Sequence, residues 1–290
     1  MRLVLTGVAL SLCFSLFAKE DEDSVIVRLE YNSVKATSVI KIDGVLDDEA
    51  WKAAEVTSNF IQNSPTENAP VSFETEVRIM YDNIGMYIGA MMYDSSPDSI
   101  SRQLGLRDED VNADGFRLIF DTYNTQQDAF DFSVTASGVQ YDARFSDYNY
   151  NAVWRSEVKI LTNGWSCEIM IPWSALRFPT GSTSDWGLQM TRNIQRRFEF
   201  DQWALTPKDK ANPQKYWGLL KGLKDIDPPV RLSLTPYLTT IWQNDDRFGE
   251  ADPTLTFAGG MDLKFGINES FTVDMTLLPD FSQVQSDNVV

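Results

Sequence analysis

The densest group of residues able to do chemistry lies between positions 108 and 121. Asp110-Val-Asn-Ala-Asp-Gly115 places oxygen ligands at the first, third and fifth positions of a loop and a glycine at the sixth, with Asp121 at the twelfth. That is the spacing by which an EF-hand loop wraps calcium. Such a loop should continue into a helix, whereas Phe116-Arg-Leu-Ile-Phe120 reads as a strand. The EF-hand is excluded, and Asp110, Asn112, Asp114 and Asp121 stand as candidate ligands of a structural calcium ion. The competing reading is a solvated acidic loop, or one paired with Arg107, Arg117 or Arg144. A second group follows: Ser146-Asp-Tyr-Asn-Tyr-Asn151 is a polar loop, and Trp154 just after it is either an exposed aromatic platform or an anchor for the loop. Trp51, Trp165, Trp186 and Trp217 sit on a short turn or open strands and are expected in the core.

Other chemistry is narrowed by what is missing. The chain has no histidine, which removes Ser-His-Asp and Cys-His catalysis, histidine-rich zinc sites and histidine-ligated haem. Hydrolysis of a glycosidic bond needs two carboxylates across a cleft, and 42 Asp and Glu residues supply many such pairs by chance. Composition therefore selects no catalytic pair. Met80, Met86, Met91 and Met92 lie on strand-like runs and read as core rather than as iron ligands.

The elements that must position these residues are short β-type runs. Thr75–Tyr81, a turn at 82–85 and Met86–Tyr93 make a hairpin, and further runs begin at Phe116, Ala129, Glu157, Trp165, Trp186 and Trp217. Close spacing with turn residues between runs predicts an all-β, antiparallel β-sandwich. Helix is scarce: Asp47 is placed to cap a turn over 48–54, and Ser174–Leu176 a shorter one.

At 290 residues, with 43% hydrophobic and 12% aromatic side chains, the chain can bury a real core and is not disordered. Its formal charge of −17 argues against nucleic acid as a partner. Residues 1–18 read as a secretory signal peptide, with Arg2 before an apolar run to Phe17 and Ala18 at a small-residue cleavage point. Residues 19–37 read as a leader, 38–223 as the sandwich, and 224–230, containing Pro228-Pro229, as a stiff linker.

Beyond the linker the pattern changes. Leu232, Leu234, Leu238 and Trp242 share one parity against Ser233, Thr235 and Thr239. Phe257, Met261, Leu263 and Phe265 oppose Thr256, Asp262 and Lys264, and Phe271, Val273, Met275 and Leu277 oppose Thr272, Asp274 and Thr276. Runs this long, greasy on one face and polar on the other, with a long loop and a short turn in alternation, match the first antiparallel strands of a transmembrane β-barrel. Residues 231–290 are therefore expected to be an incomplete barrel segment. Short turns on the periplasmic side would put residues 19–230 there also. An ordinary half-buried sheet shares the period of two but averages only ~5–6 residues per strand.

Several motifs together carry a family resemblance. Ile42-Asp-Gly-Val-Leu-Asp-Asp-Glu-Ala-Trp51, Thr75–Asp82, Asp114–Tyr123, Gly138–Ser146, Ile171-Pro-Trp-Ser-Ala-Leu-Arg-Phe178 and Trp186-Gly187 resemble the family nine carbohydrate-binding modules. They look like the subfamily in which such a module precedes an outer-membrane barrel in Gram-negative bacteria, and Leu278–Asp287 is similar to its segment leading further into that barrel. The resemblance implies a non-catalytic glycan-recognition module of the cell envelope, linked to polysaccharide catabolism or uptake. A periplasmic gating domain without sugar binding is the alternative, and a glycosyl hydrolase a weaker one. By their chemistry, the candidate contacts for such a ligand are Trp154 for stacking on a sugar ring and Arg107, Arg144 and Asp108 for hydrogen-bonding its hydroxyls, and the resemblance adds support for calcium as a structural cofactor. The partners implied are a glycan and the outer membrane.

Overall fold

A computed structural model describes residues 26–179, 185–226, 231–243, 254–267 and 271–278. The expected signal peptide and most of the long loop after Gln243 lie outside these residues, as does the end of the linker. The strands in chain order are β1 (Glu30–Asn32), β2 (Val34–Lys35), β3 (Ile61–Ser64), β4 (Thr75–Tyr81), β5 (Gly85–Tyr93), β6 (Gly115–Asp121), β7 (Phe130–Thr135) and β8 (Gln140–Arg144). They continue with β9 (Arg155–Leu161), β10 (Gly164–Pro172), β11 (Trp186–Ile194), β12 (Glu199–Gln202), β13 (Gly218–Lys221), β14 (Arg231–Gln243), β15 (Thr254–Gly266) and β16 (Thr272–Leu277).

Two sheets face each other. One runs β1-β13-β11-β6-β7-β8, with β12 on the far half of β11 and β3 beyond it, and the other runs β2-β4-β5-β10-β9. Pairing is antiparallel except for β1 with β13 and β2 with β4. Alternation sets the interior: Phe116, Leu118 and Phe120 of β6 and Phe130, Phe132 and Val134 of β7 pack against Ile79, Ile88, Cys167 and Ile169 of the opposite sheet. Trp173, Phe178 and Trp186 stack edge-on or tilted at 5.4–6.3 Å, a geometry that suits the ring quadrupoles. The expected hairpin is present as β4 and β5, and Asp82 fixes its turn by accepting from Ile84 N at 2.7 Å and Gly85 N at 3.0 Å. At the turn into β10, Gly164 takes φ +145°, and a Cβ there would lie 2.1 Å from the Met92 carbonyl oxygen.

The five-stranded sheet is covered on its outer face as well. Ile40, Ala50, Trp51 and Ala54 pack on Met80, Tyr87 and Met170, which explains why β5 and β10 are buried along nearly their whole length. Glu168, fully buried in β10, accepts from Asp43 N (2.8 Å), Gly44 N (2.9 Å) and Trp51 Nε1 (2.9 Å). Burial raises its pKa, and these donors act against the rise. The turn expected over 48–54 is a 3-10 turn, Glu49–Ala53, with Asp48 rather than Asp47 at its cap position; the Asp48 carboxylate accepts from Lys41 N instead of from the turn. The segment read as a leader is partly sandwich: β1 and β2 join the two sheets, and Tyr31, fully buried, donates to Glu55 O (2.6 Å) and accepts from Ile79 N (2.7 Å).

An ionic cluster crosses the interior. Arg192 of β11 is fully buried and donates to the carbonyls of Glu74 (3.0 Å) and Tyr93 (2.8 Å) on the opposite sheet. Asp201 of β12 is its cross-strand partner in register. Both Asp201 carboxylate oxygens are buried without a hydrogen-bond partner among the described residues, beside Glu199, which accepts from Ser72 N (2.7 Å) and Arg197 Nε (3.1 Å).

β14, β15 and β16 form a separate three-stranded antiparallel sheet. Its cross-strand register aligns Leu232, Phe265 and Val273, then Leu234, Leu263 and Met275, then Pro236, Met261 and Leu277. The next rows on that face pair Leu238 with Gly259, Thr240 with Phe257 and Trp242 with Leu255. The opposite face carries Ser233, Lys264 and Asp274, then Thr235, Asp262 and Thr276. Leu238, Trp242, Phe257 and Phe271 are more than half exposed. The two-faced pattern read from the sequence is thus preserved in register across all three strands, while no helix among the described residues is long and apolar enough to cross a membrane.

Candidate functional site

The outward face of the larger sheet carries the polar residues of each strand's second parity. β12, β11, β6, β7 and β8 lie side by side there, and the loop 108–113 forms one rim of a cavity of about 430 Å³, within the range of small-ligand pockets. Thr191 and Asn193 from β11, Arg117 from β6, Ser133 and Thr135 from β7 and Tyr141 from β8 line it, with Phe200 of β12 at the far margin. Tyr141 and Phe200 are four strand spacings apart, about 19 Å along the sheet. They bracket an extended ligand rather than clamp one ring.

Arg117 lies on the floor. Its Nε donates to Asp131 Oδ1 at 2.8 Å and its Nη2 pairs with Asp131 Oδ2. Burial lowers the Arg117 pKa, but the Asp131 carboxylate outweighs burial and holds it above its ordinary value. Burial, and then Asp131, pushes the Tyr141 hydroxyl up, so it stays a neutral donor. The carboxylates lining the cavity, Asp108, Glu109 and Asp110, all come from one loop. They do not face one another across a cleft as acid and nucleophile would. Hydroxyl, amide and guanidinium groups over a shallow floor with an aromatic at each margin can hydrogen-bond and stack on a polyhydroxylated ligand.

The residues singled out in the sequence fall differently. Trp154 is not an exposed platform: it is 4% exposed, packs edge-on to Phe132 at 5.5 Å, and donates from Nε1 to Asp142 Oδ1 at 3.0 Å. A large aromatic with one polar handle gains most by burial with that handle satisfied. Asp142, itself buried, also accepts from Ala152 N at 2.7 Å and pairs with Arg107, whose guanidinium lies 5.8 Å from the Trp154 ring. Arg107 and Trp154 therefore meet, but in a rivet that pins two loops to β8. Arg144 is likewise engaged, donating to Asp128 Oδ2 at 2.9 Å and lying over Phe130 at 5.1 Å. Of the four, Asp108 alone lines the cavity; its Oδ1 accepts from Asp142 N at 3.2 Å.

The four calcium candidates do not converge. Asp114 and Asp121 flank opposite ends of β6, about 23 Å apart at the rise of a strand. Asp114 is fully buried with Oδ1 accepting from Gln195 N at 3.0 Å, and burial raises its pKa; Asp121 Oδ2 accepts from Gln126 N at 2.6 Å. Asp110 and Asn112 lie on the rim loop. These residues do not fit one ion, and among the described residues no three acidic or cysteine side chains group as a metal site. The loop spacing matched a ligand pattern, but the strand begun at Gly115 carries its last member away.

Sequence reasoning missed Arg117, Tyr141, Thr191, Asn193 and Phe200. Each lies on the outward parity of a run read as strand, and that was the available signal. Their convergence depends on β11 and β12 inserting beside β6, an order not given by chain order.

Comparison with known proteins agrees with this architecture. Residues 42–222 match the family described as carbohydrate family 9 binding domain-like, and residues 228–290 match a domain of unknown function (DUF5916). A protein from Bacteroides uniformis ATCC 8492, titled as a carbohydrate-binding protein on assignment, shares the fold at TM-score 0.54 and 11% identity, over 67% of this chain and 99% of its own. A family 9 carbohydrate-binding module from Caldicellulosiruptor kristjanssonii, solved with glucose, aligns at TM-score 0.49 and 17% identity over 68% of this chain and 100% of its own. Its complex with cellotriose aligns at 0.47 and 16%, over 68% and 95%. No curated protein matches the chain. With the family pattern spanning the sandwich apart from β1 and β2, and well over half of the chain, this chain belongs to the carbohydrate family 9 binding domain-like family.

Proposed function

We propose that this chain is a non-catalytic glycan-recognition module that takes an extended oligosaccharide on the outward face of its larger sheet. The observation that carries the reading is the cavity itself: hydroxyl and amide groups of Thr191, Asn193, Ser133 and Thr135 around Arg117, with Tyr141 and Phe200 at its margins. Family membership supports a carbohydrate ligand, and carboxylates confined to one rim favour binding over hydrolysis. The C-terminal strands extend the proposal to an exported outer-membrane protein. Thirteen residues each in β14 and β15 exceed the ~9–11 a tilted spanning strand needs, and one face is apolar except at Thr240.

A glycan array followed by calorimetric titration tests the binding half. Tyr141→Ala and Asn193→Ala should each weaken the best saccharide about tenfold, near 1.4 kcal/mol. Absence of binding to every glycan, with the fold intact, overturns it. A second reading makes the sandwich a gating element for the strands, and Arg177 Nη2 donating to Thr272 Oγ1 at 3.2 Å favours contact of that kind. Under that reading both alanine variants leave every glycan titration unchanged.

A further inference from the structure

β12 carries Phe200 to the margin of the outward-face cavity, and it is only four residues long. Glu199 and Asp201, on either side of Phe200, are buried. On β11 the fully buried Arg192 stands between Thr191 and Asn193 of the cavity lining. The register sets Phe200 opposite Asn193 and Asp201 opposite Arg192. Every residue that these two strands give to the cavity therefore adjoins Arg192 or Asp201 in sequence. On its other edge β12 pairs with β3, and that register slips between Phe200, opposite Ser64, and Asp201, opposite Gln62. A bulge of this kind bends a strand and interrupts its ladder, so Phe200 sits beside a break in the pairing that holds it.

The charged groups that act on the Asp201 carboxyl are Glu199 from β12 itself and Arg192 from β11. β3 offers Ile61, Gln62, Asn63 and Ser64, none of which titrates. From the opposite sheet the segment 73–75 turns carbonyls and the Thr75 hydroxyl to Arg192, while the Glu74 side chain is exposed. Arg192 also feels Asp94 and Asp114, and its Nη atoms are spent on those carbonyls and on that of Tyr93. It therefore lends Asp201 charge but no hydrogen bond. A neutral acid can stay in this place. An anion there, beside Glu199 and without a donor among the described residues, is costly to keep buried, and the cost is relieved when the strand moves toward water. We propose that β12 is a proton-operated latch of the outward-face site: protonated Asp201 keeps the strand seated with Phe200 in place for the saccharide, and ionised Asp201 releases both. The inference rests on the glycan reading of that cavity and adds its regulation. Burial and Glu199 bring the Asp201 pKa to about 7. The chain has no histidine, the side chain that ordinarily titrates between pH 5 and 8, and Tyr141 in the cavity is pushed up, away from that window. Because binding and protonation are linked, a saccharide that favours the seated strand draws a proton onto Asp201.

Two measurements on the full chain, in detergent, test the latch. The first needs no ligand: hydrogen exchange, corrected for its intrinsic pH dependence, of the peptide covering Glu199–Gln202. Protection there should fall between pH 5.5 and 8.5 in the wild type and hold in Asp201→Asn, while the β4–β5 hairpin keeps its protection at both. The second is calorimetric titration with cellotetraose. Wild-type affinity should drop about tenfold from pH 5.5 to 8.5, and binding at pH 7, compared in two buffers of different ionisation enthalpy, should take up protons. Asp201→Asn should bind without proton uptake and equally well at both pH values. Protection of β12 that does not change with pH, wild-type affinity equal at the two pH values, or a pH dependence that survives in Asp201→Asn overturns the proposal. Failure of cellotetraose to bind at either pH counts against the glycan reading, whereas the exchange result decides the latch by itself.

Discussion

Replacing Asp201 with Asn should change how the stability of this protein depends on pH, and the structure sets the size. The carboxyl is fully buried, with both oxygens unpartnered among the described residues. Burial first, and then the charge of Glu199, raises its pKa from an ordinary 3.8 to about 7, against the opposing pull of Arg192. Arg192 is itself lowered to about 10 by burial, partly offset by Asp201, Asp114, Asp94 and Glu199. Glu199 is held down by Ser72 and Arg197 despite its own burial. Asp201 is therefore protonated in the folded chain and ionised in the unfolded chain between about pH 4 and 7. The folded state binds the extra proton, so stability is fully present below pH 4, declines through that window and levels off above 7. A shift of about three units corresponds to at most about 4 kcal/mol. Asn keeps the shape, can donate to Glu199, and cannot ionise. Urea unfolding followed by tryptophan fluorescence should find the variant near wild type at pH 4 and more stable by roughly 2–4 kcal/mol at pH 8. A stability difference that is the same at both pH values would refute the reasoning.

Three further outcomes are expected. Trp154→Ala should cost about 3–5 kcal/mol, as large core truncations do, and lower the melting temperature, yet leave saccharide affinity unchanged where the variant remains folded; a selective loss of affinity would restore Trp154 as a contact. EDTA should leave the melting temperature unmoved, because Asp110, Asn112, Asp114 and Asp121 do not share one ion; a drop reversed by calcium would contradict this. On the C-terminal sheet, Met261→Arg, near the middle of β15 on the apolar face, should abolish insertion into lipid vesicles, at a cost of roughly 2–4 kcal/mol for a charge at mid-bilayer depth. Thr235→Arg on the polar face should be tolerated. Equal effects would remove the membrane assignment.

What the sequence disclosed was what period and turn chemistry encode. The hairpin at 75–93, the inward aromatics of β6 and β7 and the two-faced runs after residue 231 are local patterns, and the folded chain keeps all of them. The site was less legible because it is assembled across strands distant in sequence: Asn193 stands beside Gly115, and Ser133 beside both Arg117 and Tyr141. Trp154 was misread since its neighbours are polar, whereas its fate was decided by the carboxylate of Asp142 twelve residues earlier. The acidic loop was misread for the opposite reason. Its spacing fitted a ligand pattern, but only backbone direction decides whether such ligands converge.

Tyr31 has a practical corollary for anyone excising the sandwich. The family pattern starts at residue 42, and a fragment trimmed to that start would lose this phenol, leaving a hole between the layers and stripping the Ile79 amide of its acceptor. The autonomous unit therefore begins before Glu30, a dozen positions upstream of where homology alone would draw the border.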